Sequence, residues 1–437
     1  MLKALPQMSK KLSVEQPKSS MLKAEDSTSI EKSAWQREKD IDRMKIFQIN
    51  TVCGTGSTGR IAVDIAHVLR KEGHASCIAY GRGQAPADVD SYKIDSPREI
   101  YAHAFLSRLT DRQGLYSTAA TGRLIKKIRE YDPDIIHLHN IHGYYLNYDV
   151  LFRFLSAYNK PVVWTLHDCW PFTGHCAYFD FVRCDKWKTG CHHCPQKSSY
   201  PASCFLDRSR ENYELKKSLF TQVGKLCIVT PSHWLAGLVK ESFLRTYPVE
   251  VIHNGVDLQV FKPTSSAFRK QHELEGYRII LGVASPWTPR KGLPDFIKLS
   301  KMMDDHTRIV LVGLSDKQIK QLPPHIIGIK RTNNPQELAG LYTTADVFFN
   351  PTYEDNYPTT NLESLACGTP VVTYNTGGSP ESVGENGAVV DKGDIDAAWH
   401  ELYNISQSME IAKDGFYKYD KLKHFINYLY LYQKLVD

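Results

Sequence analysis

Two adjacent cations in the second half of the chain mark its clearest candidate for chemistry. Arg290 and Lys291 lie directly before a glycine, after an apolar run and ahead of a helical pattern. Arginine can bind two oxygens of one phosphate group, and lysine supplies a compact positive charge. Because cations at a helix N-terminus oppose the helix dipole, an anionic ligand explains the pair better than a solvated helix start does. The pair therefore predicts a diphosphate site.

Carboxylates and tandem glycines farther along the chain extend this predicted site. Glu354 and Asp355 precede a helical pattern that contains Glu363, and Gly377 and Gly378 follow the next apolar run. A carboxylate can accept hydrogen bonds from two hydroxyls of a ribose, and glycines leave room for phosphate oxygens at backbone N–H groups. Together with the cations, these residues predict a nucleotide diphosphate site in the second half of the chain.

A glycine-rich turn near the start of the apolar pattern is a weaker signal. Gly54, Gly56 and Gly59 lie between a short apolar run and a helical pattern, so backbone N–H groups there can meet an anion or a sugar hydroxyl. The following strand does not end in an acidic residue, which disfavours a dinucleotide site.

His167 directly follows the apolar run VVWTL. A histidine past a strand end can hydrogen-bond a sugar or transfer a proton, and it can equally have a purely structural role. His137, His139 and His142 compete for the same roles. Their spacing is loose for a metal site.

Four cysteines form a second, separate pattern. Cys176, Cys184, Cys191 and Cys194 are spaced C-x7-C-x6-C-x2-C. Four thiolates can hold a tetrahedral, structural zinc ion, and free thiols and disulfides are the alternatives. Substitute ligands are available at Cys169, His175, His192 and His193.

Short apolar runs alternate with amphipathic helical patterns in two series, which predicts two α/β domains with parallel sheets. In such sheets the ligand site lies beyond the carboxyl ends of the strands, where the motifs above fall. The predicted divisions are a flexible tail 1–43, a first domain 44–262 with a Cys-rich insertion 169–204, a linker 263–276, a second domain 277–414 and a C-terminal helix 415–437. On that helix, Leu422, Phe425, Ile426, Leu429 and Val436 form an apolar stripe for protein packing or, alternatively, a membrane surface.

Composition limits the function classes. The chain has 437 residues, 42% of them hydrophobic and 23% charged, which is typical of globular proteins. A net charge of +6, spread along the whole chain, does not indicate nucleic acid as a partner. No apolar run is long enough for a membrane span, and the first residues lack a signal-peptide pattern, so we expect a cytoplasmic protein.

The second-half motifs resemble those of family 4 glycosyltransferases with the two-domain GT-B fold. The matching segments are VIHNGVDLQVFKP, the RKG turn, ELAGLYTTADVFFNPT and YEDNYPTTNLESLACGTPVVTYNTGGSPE, in the family's order. The EDN-x-P variant with the Cys-rich insertion is similar to bacterial exopolysaccharide, capsule and O-antigen (lipopolysaccharide) transferases. The resemblance implies two Rossmann-like domains that face each other across a cleft, with the C-terminal helix packed back on the first domain.

The resemblance also implies roles for individual residues. Glu363 matches the carboxylate that binds the ribose, Lys291 the cation on the donor diphosphate, and His167 the histidine that contacts the transferred sugar. Gly377 and Gly378 match the loop near the donor, and Gly56 lies in the turn that closes over the diphosphate. Two positions depart from the family pattern. The usual glutamate spacing counts back from Glu363 to Asp355 rather than Glu354, so either carboxylate can meet the sugar, and Pro286 replaces the usual arginine, a role that Arg290 can take over.

The implied function is transfer of a hexose, with retention of configuration, from a UDP or GDP sugar to a glycan or lipid-linked acceptor. The implied transferase needs no metal for catalysis, so zinc would be structural. The alternatives are a nucleotide-sugar epimerase of the same fold and a non-catalytic binding module. The charge and the C-terminal stripe add a possible peripheral contact with the inner face of the plasma membrane.

Overall fold

Two parallel β-sheets form the framework of the protein. The computed structural model describes residues 43–408 and 417–437, and the predicted tail 1–43 lies outside this range except for its last residue. The strands are β1 Lys45–Val52, β2 Ala75–Arg82, β3 Ser91–Lys93, β4 Ile135–Leu138, β5 Val162–Thr165, β6 Leu226–Thr230, β7 Val249–Val251, β8 Arg278–Val283, β9 Thr307–Val312, β10 Ile326–Ile329, β11 Val347–Asn350, β12 Val371–Tyr374 and β13 Gly387–Val390. Their pairings in both sheets are parallel.

Helices cover both sheets. They are α1 Gly56–Lys71, α2 Pro97–Thr110, α3 Thr118–Tyr131, α4 Tyr148–Tyr158, α5 Ser209–Phe220, α6 His233–Glu241, α7 Phe268–Gln271, α8 Leu293–Leu299, α9 Asp316–Ile319, α10 Pro335–Thr344, α11 Thr359–Ala366, α12 Ser379–Val383, α13 Ile395–Ser408 and α14 Lys421–Val436. The central strands are buried on both faces, as the continuous apolar runs of β4 and β5 require.

The strand orders fix where each sheet can bind a ligand. The first sheet has the order β3-β2-β1-β4-β5-β6-β7 and the second β10-β9-β8-β11-β12-β13. The order therefore reverses between β1 and β4 in one sheet and between β8 and β11 in the other. Crevices at the carboxyl ends of strands open at such reversals, so the loops after these strands are the expected binding loops.

The C-terminal helix packs on the first domain, as predicted. Phe425, Tyr428, Leu429 and Tyr432 of α14 share a buried apolar cluster with Ile61 and other residues of α1. The predicted stripe was wrong at its ends: Leu422 and Val436, in the first and last turns, are exposed.

Two tyrosines that the predicted stripe did not include, Tyr428 and Tyr432, are buried on the same face of α14. The Tyr432 hydroxyl lies 2.7 Å from His137 Nδ1 and the Tyr428 hydroxyl 3.1 Å from Thr165 Oγ1. Because both hydroxyls have partners, these rings can be buried without an unsatisfied polar group.

The insertion 169–204 contains three short 3₁₀ turns, Trp170–Phe172, Asp180–Val182 and Lys186–Lys188, and no strand or α-helix. Buried aromatic rings pack inside it: Phe179 stacks on Trp187 at 4.9 Å between ring centroids, and both contact Phe172. Trp170 joins the insertion to the rest of the first domain through ring contacts with Tyr148 and Phe220. None of the described helices combines the length and the apolar character needed to cross a membrane.

Strands of the first sheet lie between Lys45 and Val251 and those of the second between Arg278 and Val390. The domain boundaries at 262, 276 and 414 stay predictions, and the last of them falls outside the described residues.

Candidate functional site

The predicted cation pair lies in the loop after β8, at the edge where the strand order reverses. Arg290 and Lys291 end a 3₁₀ turn, and Gly292 follows with φ +76°. A Cβ at Gly292 would lie 2.2 Å from the carbonyl oxygen of Pro351, so only glycine lets this turn pack against the loop after β11. The sequence therefore folds the two binding loops of the second sheet against each other.

Lys291 and Asp355 form an ion pair between these two loops. The Nζ atom of Lys291 contacts Oδ2 of Asp355, and both side chains are largely buried. Burial opposes ionisation of Asp355, yet the adjacent charges of Lys291 and Arg290 outweigh it and hold the pKa of this carboxyl below its usual value. The site therefore keeps the Asp355 carboxyl ionised in a partly dry environment, where electrostatic interactions are strong.

Arg290 reaches across to the insertion. Its guanidinium lies over the ring of Tyr178, 3.9 Å from the centroid, and donates a hydrogen bond to the carbonyl oxygen of Glu354. An arginine stacked on an aromatic face keeps its charge while its orientation is fixed. The structure thus places Arg290 next to Lys291.

Glu354 occupies a different position from Asp355. Its carboxylate, 1% exposed, accepts hydrogen bonds from the backbone N–H groups of Phe179 and Phe181, both at 2.9 Å. Both carboxylate oxygens therefore bind the insertion. Of the two carboxylates that the sequence left as alternatives, Asp355 is the one that the structure places beside the cations.

Gly377 and Gly378 pack against the same loop. A Cβ at Gly377 would lie 1.9 Å from the Asp355 carbonyl oxygen, and one at Gly378 would lie 1.8 Å from the Asn356 carbonyl oxygen. The Gly378 N–H group donates to the Asp355 carbonyl oxygen at 3.1 Å. The glycines therefore allow a backbone approach that positions Asp355, while their predicted contact with a donor stays a prediction.

Glu363 lies on α11 in a cavity of about 210 Å³ that both domains line. It is nearly buried, accepts a hydrogen bond from the Tyr342 hydroxyl at 3.1 Å and lies 3.9 Å from Nη2 of Arg60. Burial raises the pKa of Glu363 to about 7, against the lowering effects of Arg60 and Tyr342. A carboxylate that lines a cavity is suited to accept hydroxyl hydrogen bonds from a ligand.

The glycine-rich turn forms the opposite wall of this cavity. Gly54, Ser57 and Arg60 line it, and Gly56 begins α1 between them with φ +64°. Arg60 was missed in the sequence analysis, although its position directly after the glycine turn and at the start of a helix was a usable signal. The glycine-rich turn of the first domain and Glu363 of the second therefore line the same cavity.

His167 is the end of a hydrogen-bond chain that begins inside the first domain. Gln48 donates through Nε2 to the Ala62 carbonyl oxygen, so its Oε1 is free to accept from His139 Nε2 at 3.0 Å. His139 Nδ1 then lies 3.1 Å from His167 Nε2. Burial lowers the pKa of His167 to about 4 and that of His139 well below its usual value, so both rings are neutral near pH 7.

This chain fixes the tautomer of His167. A neutral His139 that donates from Nε2 must accept at Nδ1, so His167 carries its proton on Nε2. Nδ1 of His167 is then an acceptor, and it has no hydrogen-bond partner in the part of the chain that the structure describes. The ring is therefore ready to accept a hydrogen bond from a ligand hydroxyl.

The other histidines are committed to protein partners. His137 contacts Thr165 and Tyr432, and His142 lies 2.8 Å from Asp168 and 3.0 Å from the Tyr200 hydroxyl. Cys176, Cys184, Cys191 and Cys194 line one small cavity inside the insertion, separate from the cation loop.

The comparisons with known proteins agree with this geometry. Residues 58–260 match the model of "Glycosyltransferase Family 4", and residues 277–407 match that of "Glycosyl transferases group 1". The two matches cover most of both sheets. The chain belongs to the family 4 glycosyltransferases. Its membership agrees with the resemblance carried by the RKG turn and the EDN-x-P segment.

A curated relative agrees with this identification of a family 4 glycosyltransferase, and solved structures have the same fold. The chain is 26% identical over 366 residues, 79% of its length and 86% of the relative's, to WcaC of Escherichia coli K12, which is named as a colanic acid biosynthesis glycosyl transferase. Sucrose-phosphate synthase of Thermosynechococcus elongatus has the same fold, with a TM-score of 0.65 and 16% identity over 90% of this chain and 99% of that one.

Anabaena HepE, solved with UDP and glucose, has a TM-score of 0.61 at 15% identity over 90% of this chain and all of its own. The predicted GT-B architecture of this family 4 glycosyltransferase is thereby confirmed.

Proposed function

We propose that this glycosyltransferase moves a hexose, with retention of configuration, from a nucleoside diphosphate sugar to a glycan or lipid-linked acceptor in surface polysaccharide synthesis. The observation that carries the proposal is the cluster of Lys291, Arg290 and Asp355 at the strand-order reversal of the second sheet. Similarity to WcaC supports an exopolysaccharide pathway, and capsule and lipopolysaccharide synthesis are related settings.

Charge determines the proposed mechanism. When the anomeric C–O bond breaks, the departing diphosphate takes the electron pair, and Lys291 and Arg290 stabilise its additional negative charge without a catalytic metal. The acceptor oxygen bonds to the anomeric carbon from the same face, and the hydroxyl proton passes to the departing diphosphate. The neutral ring of His167 accepts a hydrogen bond from the transferred sugar and holds that sugar against the cations.

The nucleoside has a proposed place in the cavity between Glu363 and the glycine-rich turn. The Glu363 carboxylate would accept hydroxyls of the ribose, and Arg60 would compensate its charge. The likeness to HepE, solved with UDP, favours a UDP sugar, and GDP requires the same diphosphate contacts. Donor binding would therefore supply partners that Glu363 lacks in the protein alone.

A larger cavity in the first domain is the proposed acceptor site. It measures about 720 Å³, and one face of α2 forms a wall through Pro97, Ile100, Tyr101, Ala104, Phe105 and Arg108. These residues recur at the spacing of a single helical face. Tyr101 is 76% and Phe105 is 63% exposed, an unusual exposure for aromatic rings that share one face.

Cations line the same cavity. Arg82, Lys93 and Arg108 surround it, and the Nε atom of Arg82 is buried with no hydrogen-bond partner among the residues that the structure describes. Positive charge beside an apolar face complements an amphiphile that carries a phosphate or diphosphate, so a lipid-linked acceptor is the proposed occupant. Tyr200 at its wall bonds His142, which bonds Asp168, the neighbour of His167.

This arrangement favours α2, rather than the C-terminal helix, for peripheral contact with the inner face of the plasma membrane. The aromatic face of α14 is buried against the first domain, whereas Tyr101 and Phe105 are open to solvent. Flotation with anionic vesicles tests the contact. A wild-type protein that stays at the bottom of the gradient would contradict it.

Acceptor-dependent release of nucleoside diphosphate tests the proposed reaction. A panel of UDP and GDP sugars is first screened by thermal shift, because a ligand that binds only the native state raises the unfolding temperature. The stabilising donor is then incubated with and without a lipid diphosphate-linked sugar. A transferase releases the diphosphate only with the acceptor, an epimerase interconverts the donor without it, and a binding module does neither.

A charge reversal tests the acceptor site separately. Arg108→Glu should raise the acceptor KM about tenfold, roughly 1.4 kcal/mol, and leave donor affinity unchanged. Lys126→Glu, a reversal at an exposed position of α3 outside the cavity, is the matched control. Equal acceptor KM values in the two variants would remove Arg108 from the site.

A further inference from the structure

The insertion 169–204 is one of the parts of the first domain that contact the second domain. Backbone N–H groups of Phe179 and Phe181 bind the Glu354 carboxylate, and Asp180 forms an ion pair of 2.7 Å with Lys392 of the second domain. Glu354 is the neighbour of Asp355. The position of the insertion therefore sets the position of the carboxylate that pairs with Lys291.

Little regular structure supports this segment. Its interior holds a very small cavity, which is lined by Cys176, Cys184, Cys191, Cys194 and His175 together with the packed rings of Phe179 and Trp187. All ten cysteines of the chain lie in the described residues, and each is a free thiol. The disulfide alternative for this cluster therefore has no counterpart in the structure.

His175 has an unused nitrogen. Its Nδ1 lies 2.6 Å from Oδ1 of Asp111. Because a carboxylate oxygen can only accept, Nδ1 keeps its proton and donates it in this bond, so the lone pair of the neutral ring lies on Nε2. Nε2 is buried and has no hydrogen-bond partner in the described chain, although leaving such a group unsatisfied is costly. A carboxylate that orients a histidine while its other nitrogen stays free is the arrangement found behind metal-binding histidines.

A backbone donor already points at one of the sulfur atoms. The Gly174 N–H group donates to Cys191 Sγ at 3.2 Å. A Cβ at Gly174 would lie 1.9 Å from the Ser209 carbonyl oxygen, so this approach requires glycine. The Gly174 N–H group therefore fixes the position of Cys191 Sγ inside the insertion.

Another cluster is closer together but is already used. His233, His253 and Glu381 bring their ligand atoms within 4.8 Å of one another, the one group of three to do so among the described residues. The Glu381 carboxylate accepts the backbone N–H groups of His233 and Trp234 at the start of α6, both at 2.8 Å. This cluster is therefore a helix-capping contact between the domains. Among the described residues, no three ligand atoms of the cysteine cluster lie within 4.8 Å of one another, so binding of zinc requires these side chains to move closer together.

We propose that Cys176, Cys184, Cys191 and Cys194 bind one structural zinc ion, with His175 available as an alternative ligand, and that this ion holds the insertion against Glu354 of the donor domain. Binding releases thiol protons to solvent, and the zinc takes no part in glycosyl transfer. The consequence for function is indirect: loss of zinc loosens the insertion and displaces the loop of Asp355.

Metal analysis of the purified full chain tests the site. We expect about one zinc per chain, and near loss of zinc in a Cys191→Ser/Cys194→Ser double variant. Cys204→Ser is the matched control, since Cys204 lies in the same insertion but is exposed and outside the cavity. Absence of zinc from the wild-type protein after expression in zinc-supplemented medium would overturn the proposal.

Measurements on the wild-type protein keep the test independent of folding defects. Reaction with a thiol reagent should modify about four more cysteines after a strong chelator removes the metal, and cobalt substitution should give the absorption of thiolate ligation. Unchanged thiol reactivity after chelation would contradict a metal held by these residues.

The link to the donor loop has its own readout. Zinc removal should weaken nucleoside diphosphate binding about tenfold, and added zinc should restore it. If zinc is bound but its removal leaves this affinity unchanged, the ion does not position Asp355. A zinc-free protein that still binds and transfers the donor sugar would defeat this inference and leave the proposed function intact.

Discussion

The side-chain amide of Asn356 donates a hydrogen bond of 2.6 Å to the carbonyl oxygen of His167. Asn356 directly follows the carboxylate that pairs with Lys291, and His167 follows β5 of the first sheet. One bond thus joins the Asp355 loop of the second domain, after β11, to the histidine loop of the first. The donor diphosphate and the transferred sugar can therefore be held from both sides of the cleft.

Replacing Lys291 should slow the chemical step. Lys291→Met removes a charge that stabilises the departing diphosphate, which we expect to cost about 3 kcal/mol, or roughly a hundredfold in kcat. Lys301→Met, at an exposed position beyond α8, is the control. Steady-state kinetics with a saturating donor measure both variants, and a kcat for Lys291→Met within about twofold of the control would argue against this role.

Substitutions of Asp355 and Glu354 should affect different properties, the first donor affinity and the second stability. Asp355→Asn should weaken donor affinity about tenfold, because it removes the partner that orients Lys291. Glu354→Gln should lower the free energy of unfolding by about 1 to 3 kcal/mol, since an amide cannot accept both backbone N–H groups of the insertion. Calorimetry and denaturant unfolding measure the two quantities. The reverse assignment would place Glu354, and not Asp355, at the donor.

Glu363 should reduce stability at neutral and alkaline pH. Its pKa is about 7 in the folded protein against an ordinary value of 4.5. Below about pH 4.5 Glu363 is protonated in both the folded and the unfolded protein. Between about pH 4.5 and pH 7 the unfolded protein releases this proton while the folded protein keeps it. The free energy of unfolding therefore falls as the pH rises to about 7. Glu363→Gln should therefore stabilise the protein at pH 8, by at most about 3 kcal/mol, and much less at pH 5.

The control for this experiment is Glu385→Gln, at an exposed position. Thermal unfolding at both pH values gives the comparison. Equal shifts for Glu363→Gln at pH 5 and pH 8 would mean that the carboxyl is not buried as described.

His167 should act as a neutral acceptor. His167→Ala should lower kcat about thirtyfold to a hundredfold, and His167→Gln, which keeps an acceptor oxygen, should lose less. Because the pKa of His167 is about 4, rate profiles of the wild type and both variants should have the same shape between pH 5.5 and 7.5. An ionisation that is present in the wild type and absent from both variants would show that the ring titrates in the working range.

Much of the fold could be predicted because the central strands are buried on both faces and the helices are amphipathic. The runs IIHL and VVWT predict buried strands, and in the structure they are β4 and β5. Short or half-exposed elements gave no such signal: β3, with three residues, and α2, whose exposed aromatic face obscures its period, were not identified.

The site residues were predicted from sequence motifs, and such motifs do not predict contacts between the two domains. The cation pair and Glu363 carry recognisable spacing, whereas the bond from Gln48 through His139 to His167 joins residues of three different strand regions. The orientation of Glu354 could not be predicted either, because it depends on contacts with the insertion 169–204, which is distant in sequence.

Binding of the donor nucleotide is the most direct test of the central claim that Glu363 and Lys291 hold one nucleoside diphosphate sugar. Isothermal titration of the wild type, Glu363→Gln and Lys291→Met with UDP and GDP measures it. The account predicts that the wild type binds one of these nucleotides and that each variant binds it at least about tenfold more weakly. A wild type that binds neither nucleotide, or variants that bind as tightly as the wild type, would contradict it.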